Sequence, residues 1–532
     1  PAAGYDALAL QTSERARARS LLEQLAETNA DIRQGIDPLL RERERTLQQQ
    51  MNAKSAARIN AFNKRSNETL ASGFDKEIAE LTSRYRAVEA QIRSSSPRYG
   101  ALTRPEPLAA SEIQQLLDQD TVLLEFSLGE KRSWLWAVTP DRIISHPLPP
   151  RVEIERATRA VYELLTARQP KAGLTEAEAT ARVNEADARF QIEGAGLGRM
   201  LLGPIADLLR RELKGRRLLI VASGALEYLP FAALPLPSND NGYQPLIADH
   251  EIVNLPSASV LSVMRRETAK RVHAPGVVAV MADPVFDTSD PRLMTAVARK
   301  VGNQDVAINV RSTGETPSSA SVAPNDSPLT RAVRGMNRAS LTRLPFSREE
   351  ADAVAALVPS ESLLKATDFR ANRATATSGE LGNYRIVHFA THGLLNSEHP
   401  ELSGLVLSLV DENGRAQDGF LRMHEIYNLR LPAEVVVLSA CQTALGKEIK
   451  GEGLVGLTRG FMYAGAERVV ASLWQVDDLA TAELMKIFYR GMLKEGLRPA
   501  AALRAAQLEM MKQKRRSSPF FWAAFVIQGE YK

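Results

Sequence analysis

Apolar positions recur at helical spacing from residue 8 to about residue 96, as in Leu21, Leu22 and Leu25 and again in Leu39 and Leu40, with almost no helix breakers between them. Gly35-Ile36-Asp37-Pro38 and Ser72-Gly73 interrupt the pattern, which predicts two or three long helices joined by short turns. Leu40, Leu47 and Met51 also suit a single extended coiled coil, but heptads are not sustained over three or four repeats. The Arg-rich stretch Glu14 to Arg19 reads as a solvated helix face.

Beyond Pro97 and Pro105 the texture changes. Thr121 to Val138 is β-branched and aromatic with a break at Leu128-Gly129-Glu130, the pattern of a hairpin. Helices are expected at about 151–168, 173–192 and 196–214, then a buried strand at Arg217 to Val221 and another at Gly276 to Ala282. From Asp287 to Leu344 the chain turns rich in Ser, Thr, Pro, Asn and Gly, which predicts an insertion. The remainder alternates. Strands are expected at 362–365, 384–390, 405–409, 434–440, 468–474 and 521–527, and helices at 348–357, 454–464, 478–494 and 499–514. Near-continuous apolar strands interleaved with helices predict an α/β fold, a mostly parallel sheet covered on both faces, with chemistry at the C-terminal strand ends.

Composition narrows the functional classes. The 532 residues, 44% hydrophobic and 24% charged, are ordinary for a globular protein of several domains. A net charge of +4 is no bulk signature of nucleic-acid binding, and no apolar run approaches the ~18–20 residues of a membrane span. The one cysteine, Cys441, excludes intrachain disulfides and Cys-rich metal sites; it is compatible with a reducing compartment, and a cytoplasmic location is expected. The chain opens on Pro1 rather than Met and is expected to be a piece of a longer one.

Two expected strands lead into the most chemically loaded sequences, Ile386-Val-His-Phe-Ala-Thr-His392-Gly393 and Val435-Val-Val-Leu-Ser-Ala-Cys441-Gln442-Thr443. Cys441 and His392 lie about 50 residues apart, the separation of the caspase histidine and nucleophile. On neighbouring parallel strands the two would face each other. A thiol of pKa about 8.5 is only a few per cent thiolate at neutral pH, so an imidazole beside it is needed to take the proton and later protonate the leaving amine. Backbone amides of Gly393 and Cys441 are the candidate oxyanion donors. The alternative is an inert buried cysteine beside a structural histidine. His388 shares the face of His392 and reads as buried. His399 and His424 lack acidic partners at ligand spacing, so no metal is expected. Gly451-Glu-Gly-Leu-Val-Gly456 matches a dinucleotide fingerprint but does not follow directly from a strand, so no cofactor is expected.

Together, Val387-His-Phe-Ala-Thr-His-Gly393, Leu438-Ser-Ala-Cys-Gln-Thr443, Gly451 to Gly456 and Val470-Ala-Ser-Leu-Trp-Gln-Val-Asp477 resemble the CHAT family of caspase-like proteases, relatives of caspases and separases. Leu226-Glu-Tyr-Leu-Pro-Phe231 and Leu344-Pro-Phe-Ser-Arg-Glu-Glu-Ala351 fit as well, so the resemblance covers about residues 110–532. It implies a caspase-like cysteine endopeptidase acting on protein or peptide substrates, with His392 and Cys441 as the dyad, in bacterial signalling or defence. It divides the chain into a helical segment 1–110, a non-catalytic α/β half 111–262 and a catalytic half 263–532. The helical segment resembles the end of a tetratricopeptide array, which implies a protein activator bound there. In separases an acidic residue just after the corresponding Trp helps hold a P1 arginine. Here Trp474 is followed by Asp477 and Asp478, with Asp478 the better match, and either aspartate instead caps the helix that begins there. Cleavage after Arg or Lys is the resulting expectation. Self-cleavage at Arg311, Arg331, Arg334 or Arg338 in the insertion is one reading of those residues, and surface charge on a loop is the other. A catalytically silent scaffold of the same fold is the competing function.

Overall fold

The computed structural model describes residues 5–27, scattered helical positions between 39 and 91, and residues 108–532 apart from 172, 238–242, 270, 295–340, 397–402, 446–451 and 476. Two compact units form, residues 1–116 with 257–271, and residues 117–256 with 272–532. In the first unit, helices Tyr5–Glu27, Ala110–Leu116 and Ala258–Thr268 pack on one another. The Glu14 carboxylate is fully buried there and accepts from the backbone N–H groups of Ala258 (3.1 Å) and Ser259 (2.9 Å), an anion on the positive end of a helix. The turn at Gly35 to Pro38 and the arginines at 311, 331, 334 and 338 lie outside the described residues.

The second unit is built on a single 13-stranded sheet among the described residues. Its strands are β1 (Thr121–Ser127), β2 (Ser133–Val138), β3 (Ile143–Leu148), β4 (Arg217–Val221), β5 (Ile252–Asn254), β6 (Gly276–Pro284), β7 (Leu363–Asp368), β8 (Tyr384–Asn396), β9 (Gly404–Val406), β10 (Phe420–Arg422), β11 (Val435–Leu445), β12 (Arg468–Ser472) and β13 (Phe525–Gly529). The order is β10-β9-β8-β11-β12-β13-β5-β4-β1-β2-β3, with β6 and β7 branching from β8. The sheet is mixed: β8, β11 and β12 run parallel, while β13 returns antiparallel to β12 and β1-β2-β3 form an antiparallel meander.

The labelled helices of this unit are α1 (Arg151–Leu165), α2 (Glu176–Leu202), α3 (Pro345–Ala355), α4 (Glu452–Ala464), α5 (Asp478–Leu493) and α6 (Pro499–Met511). They cover both faces. Glu350 of α3 and Tyr489 of α5 reach His388 from one side of β8, and Phe461 of α4 meets Phe389 from the other, ring centroids 5.5 Å apart. This is why β4, β12 and the start of β11 read as unbroken apolar runs, each buried Val or Leu side chain contributing about 1.5–3 kcal/mol.

Three expectations are corrected. The break expected between 192 and 196 is absent: α2 runs unbroken to Leu202, opened by a capping box between Thr175 and Glu178, and the rest of the helix expected at 196–214 is a 3-10 turn, Gly203–Ile205, and a short helix, Ala206–Arg211. Gly198 marks close packing there: a Cβ at that position would sit 2.4 Å from the Pro235 carbonyl oxygen. The strand expected from Phe521 begins only at Phe525, because Pro519–Trp522 forms a helical turn. Finally, β8 and β11 do not stop near Ala390 and Ala440 but continue, paired, to Asn396 and Leu445.

The sheet forks where the chemistry is expected. β6 pairs with β8 as far as Ala282 opposite Ala390, and two residues later β9 takes that side, with Val406 opposite His392. Crevices at such changes of neighbour are where open α/β sheets place ligands.

Candidate active site

β8 and β11 are in register so that Cys441 is the direct Cα partner of His392, with Ala440 opposite Thr391 before them and Gln442 opposite Gly393 after them. Adjacent strands lie about 4.8 Å apart, so the two residues occupy neighbouring positions despite their separation in sequence.

His392 is 5% exposed. Its Nε2 lies 2.7 Å from the carbonyl oxygen of Thr342. A carbonyl only accepts, so Nε2 carries the proton and Nδ1 of the neutral ring keeps its lone pair. That Nδ1 is buried without a hydrogen-bond partner among the described residues. Phe286 leans on the ring, centroids 5.1 Å apart at 48°. Burial pushes the imidazole below its usual pKa, and the Thr342 hydrogen bond offsets part of that shift. The ring is thus held neutral, by one nitrogen, with the other poised as a proton acceptor.

A second layer lies one step down the same strands. His388 is fully buried, with Nδ1 2.8 Å from the Tyr489 hydroxyl and Nε2 3.0 Å from Glu350 Oε1, a close contact without hydrogen-bond geometry. The other Glu350 oxygen accepts from Ser439 Oγ at 3.0 Å. By the two-residue period of a strand, positions 388 and 392 share a face, as do 439 and 441. Glu350 therefore ties β8 to β11 directly beneath the candidate dyad. Burial and the Glu350 charge together hold the Tyr489 hydroxyl neutral, well above its usual pKa.

The remaining candidates are distributed as follows. Trp474 is 1% exposed, packs edge-on to Tyr162 and donates its indole N–H to the Phe520 carbonyl, a core position. Asp477 caps α5, accepting from the Ala480 N–H at 2.9 Å. Asp478 is half-buried, and burial with the charges of Asp477 and Glu350 raises its carboxyl above the usual value. Gly393 has Gln442 on one side and Leu405 on the other. Its N–H therefore points at a paired strand whichever way it faces.

Sequence reading missed Thr342 and Glu350. A carbonyl acts through its place in the fold and leaves no mark in the sequence. Glu350 did leave one: Ser347, Glu350, Ala351 and Val354 are the buried face of α3 at i, i+3, i+4 and i+7, with a carboxylate where the period calls for an apolar residue.

A family model described as the CHAT domain matches residues 191–530. Human tetratricopeptide repeat protein 28 is 26% identical over 348 residues, which are 59% of this chain and 12% of that protein. The mouse protein of the same name is 30% identical over 220 residues, 35% of this chain and 8% of that protein. Among solved structures, the Saccharomyces cerevisiae separase–securin complex at 3.0 Å gives a TM-score of 0.44 at 12% identity, covering 84% of this chain and 32% of that chain. The same complex at 2.6 Å gives 0.39 at 12% identity, covering 98% and 40%.

Proposed function

This chain belongs to the CHAT family, and from that premise we propose that it is a cysteine endopeptidase in which His392 and Cys441 form the dyad. The observation that carries the proposal is the register of Cys441 on His392 together with a buried ring whose Nδ1 has no hydrogen-bond partner among the described residues. In the reaction, Nδ1 takes the thiol proton and the thiolate adds to the scissile carbonyl. The tetrahedral intermediate collapses to a thioester as His392 returns the proton to the leaving amine, and water then hydrolyses the thioester. Asp478 supports a basic P1 residue, since a half-buried carboxylate beside two further acids favours a cation that neutralises it. Activation by a protein bound to the helical unit is part of the same reading and rests on the tetratricopeptide resemblance.

A second reading, a catalytically silent scaffold, is favoured by the ladder that runs on past the dyad to Asn396 and Leu445 and turns the Gly393 amide toward a paired strand. An electrophilic peptide probe separates the two. Covalent capture of Cys441 that is lost in His392→Ala supports the peptidase; no capture under any activating condition leaves the scaffold. A P1-Arg peptide cleaved in preference to its P1-Asp counterpart supports the basic pocket, and the reverse preference removes it.

A further inference from the structure

We infer that Asp283 is a positioning residue for His392, acting through Arg343 and the Thr342 carbonyl. The inference rests on the dyad reading above and extends it to residues that touch neither substrate nor thiol. Asp283 is the penultimate residue of β6, at the fork of the sheet, and is 1% exposed. Its two carboxylate oxygens take both arms of Arg343, Nε at 2.9 Å and Nη2 at 2.8 Å. Arg348 Nε reaches the same carboxylate at 2.7 Å, and Arg292 Nη1 lies 3.0 Å from it. The Asp283 N–H donates to Ser347 Oγ at 3.1 Å, and Ser347 Oγ donates to the Leu344 carbonyl at 2.6 Å.

Arg343 and Arg348 are thus fastened to one buried carboxylate, and Ser347 to the backbone N–H of the same residue. Arg343 shares its rigid peptide plane with the Thr342 carbonyl, whose oxygen fixes the Nε2 proton of His392. A bidentate guanidinium–carboxylate pair fixes orientation as well as distance.

The backbone gives independent support. Among the described residues the non-glycine positions at positive φ are Asp283 (φ 48°) and Asp368 (φ 55°). Both belong to this cluster. Arg292 Nη1 bonds Asp368 at 2.8 Å, Arg348 bonds it too, and a bulge between Ala282 and Pro284 brings Asp368 opposite Pro284. Left-handed backbone outside glycine persists where its surroundings over-determine it, and such sites gather around functional centres. Arg292 and Arg343 also stand near the two ends of the segment 287–344, so each end is anchored to the carboxylate that holds the histidine's carbonyl.

The test reads the imidazole directly, so it stands whether or not a substrate is found. In the full chain carrying Cys441→Ala, ¹⁵N NMR of labelled histidines, with His392 assigned through His392→Gln, is expected to show the Nε2–H tautomer. Asp283→Asn keeps the shape and tolerates the same φ. Arg343→Gln alters a side chain that is 41% exposed, and it carries the test where Asp283→Asn does not fold. Both are expected to move His392 to a mixture of tautomers and, in the Cys441 chain, to lower kcat about 10²-fold with KM nearly unchanged. A folded Arg343→Gln chain whose His392 spectrum matches the parent overturns the inference. A normal spectrum with no turnover in any chain counts against the peptidase reading instead.

Discussion

Glu350 and His388 meet 3.0 Å apart, carboxylate oxygen to imidazole Nε2, in a part of the sheet where both side chains are all but sealed from water. The same carboxylate accepts from Ser439 on the neighbouring strand, so one acid spans the two strands that carry the candidate dyad. Removing one partner of such a buried pair leaves the others desolvated and unmatched, whereas an isostere keeps most of the geometry. Glu350→Ala is expected to lose about 3–5 kcal/mol of stability and Glu350→Gln about 1–3 kcal/mol, read by urea denaturation. A stability loss in Glu350→Ala no greater than that of an exposed glutamate, such as Glu361, would show that the pair holds nothing together.

The acid limb of the pH–rate profile follows from the environment of His392. Burial lowers its pKa below 6.5, so the unprotonated base persists to lower pH than a free imidazole would. On the peptidase reading, kcat/KM is expected to fall only below pH 6.5. His392→Ala is expected to lose about 10²–10⁴-fold in rate. The same shift has a consequence for folding: the unfolded histidine binds its proton more tightly than the folded one. Stability attached to this group is therefore full above pH 6.5 and is lost as pH falls through the lower folded value. Denaturation midpoints of wild type and His392→Gln between pH 7 and pH 5 check it, the wild type losing more.

Much of this arrangement was legible in the sequence, for identifiable reasons. The strands at 217–221 and 435–438 are buried on both faces, so hydrophobicity alone marks them. The pairing of His392 with Cys441 needed only that two similar apolar runs lie side by side and parallel. What escaped was whatever depends on contacts distant in sequence. A helix break was expected between residues 192 and 196, yet the helix runs through, and Gly198 within it gives room to the Pro235 carbonyl that packs on it. Strand β3, half-exposed and carrying Pro147, offers only Ile143, Ile144 and Leu148 without an unbroken apolar run, and it pairs along the edge that β2 provides. Asp283 and Arg343 are about 60 residues apart across the insertion, a distance over which charge patterning carries no information.

Asp478 sets function against stability. Burial, Asp477 and Glu350 raise its carboxyl above the usual 3.8, so the folded state prefers the protonated form. The sign is opposite to that of His392: the stabilising contribution is full below the unfolded pKa and is lost as pH rises through the raised folded value. Asp478→Asn is therefore expected to leave the fold as stable or more stable at pH 7. The basic-P1 reading also requires the ionised form, and removing one member of a charge pair at a binding site typically costs 10-fold or more. Asp478→Asn is expected to lower kcat/KM for a P1-Arg peptide at least 10-fold, with little change for a neutral P1. Equal loss for both peptides would assign Asp478 to the start of α5 and not to a pocket.

The ladder beyond the dyad sets the final expectation. Four pairings, from Gln442 opposite Gly393 to Leu445 opposite Asn396, follow the Cys441–His392 step. While they persist, the Gly393 amide is turned toward a neighbouring strand and is not free for an oxyanion. Turnover by the proposed mechanism thus requires β8 and β11 to part beyond residues 392 and 441 while the lower pairings hold. Hydrogen exchange is the direct measure: amides 393–396 and 442–445 are expected to be protected in the resting chain. They are expected to lose protection when an activating partner or a covalent peptide probe is bound, with Ile386 to Ala390 unchanged. Loss of one oxyanion donor typically lowers kcat about 10²–10³-fold, which sets how slow the resting chain should be relative to the activated one. Full protection of 393–396 in a chain that is turning over substrate would mean that the oxyanion is stabilised elsewhere, and the Gly393 assignment would fall while the dyad stood.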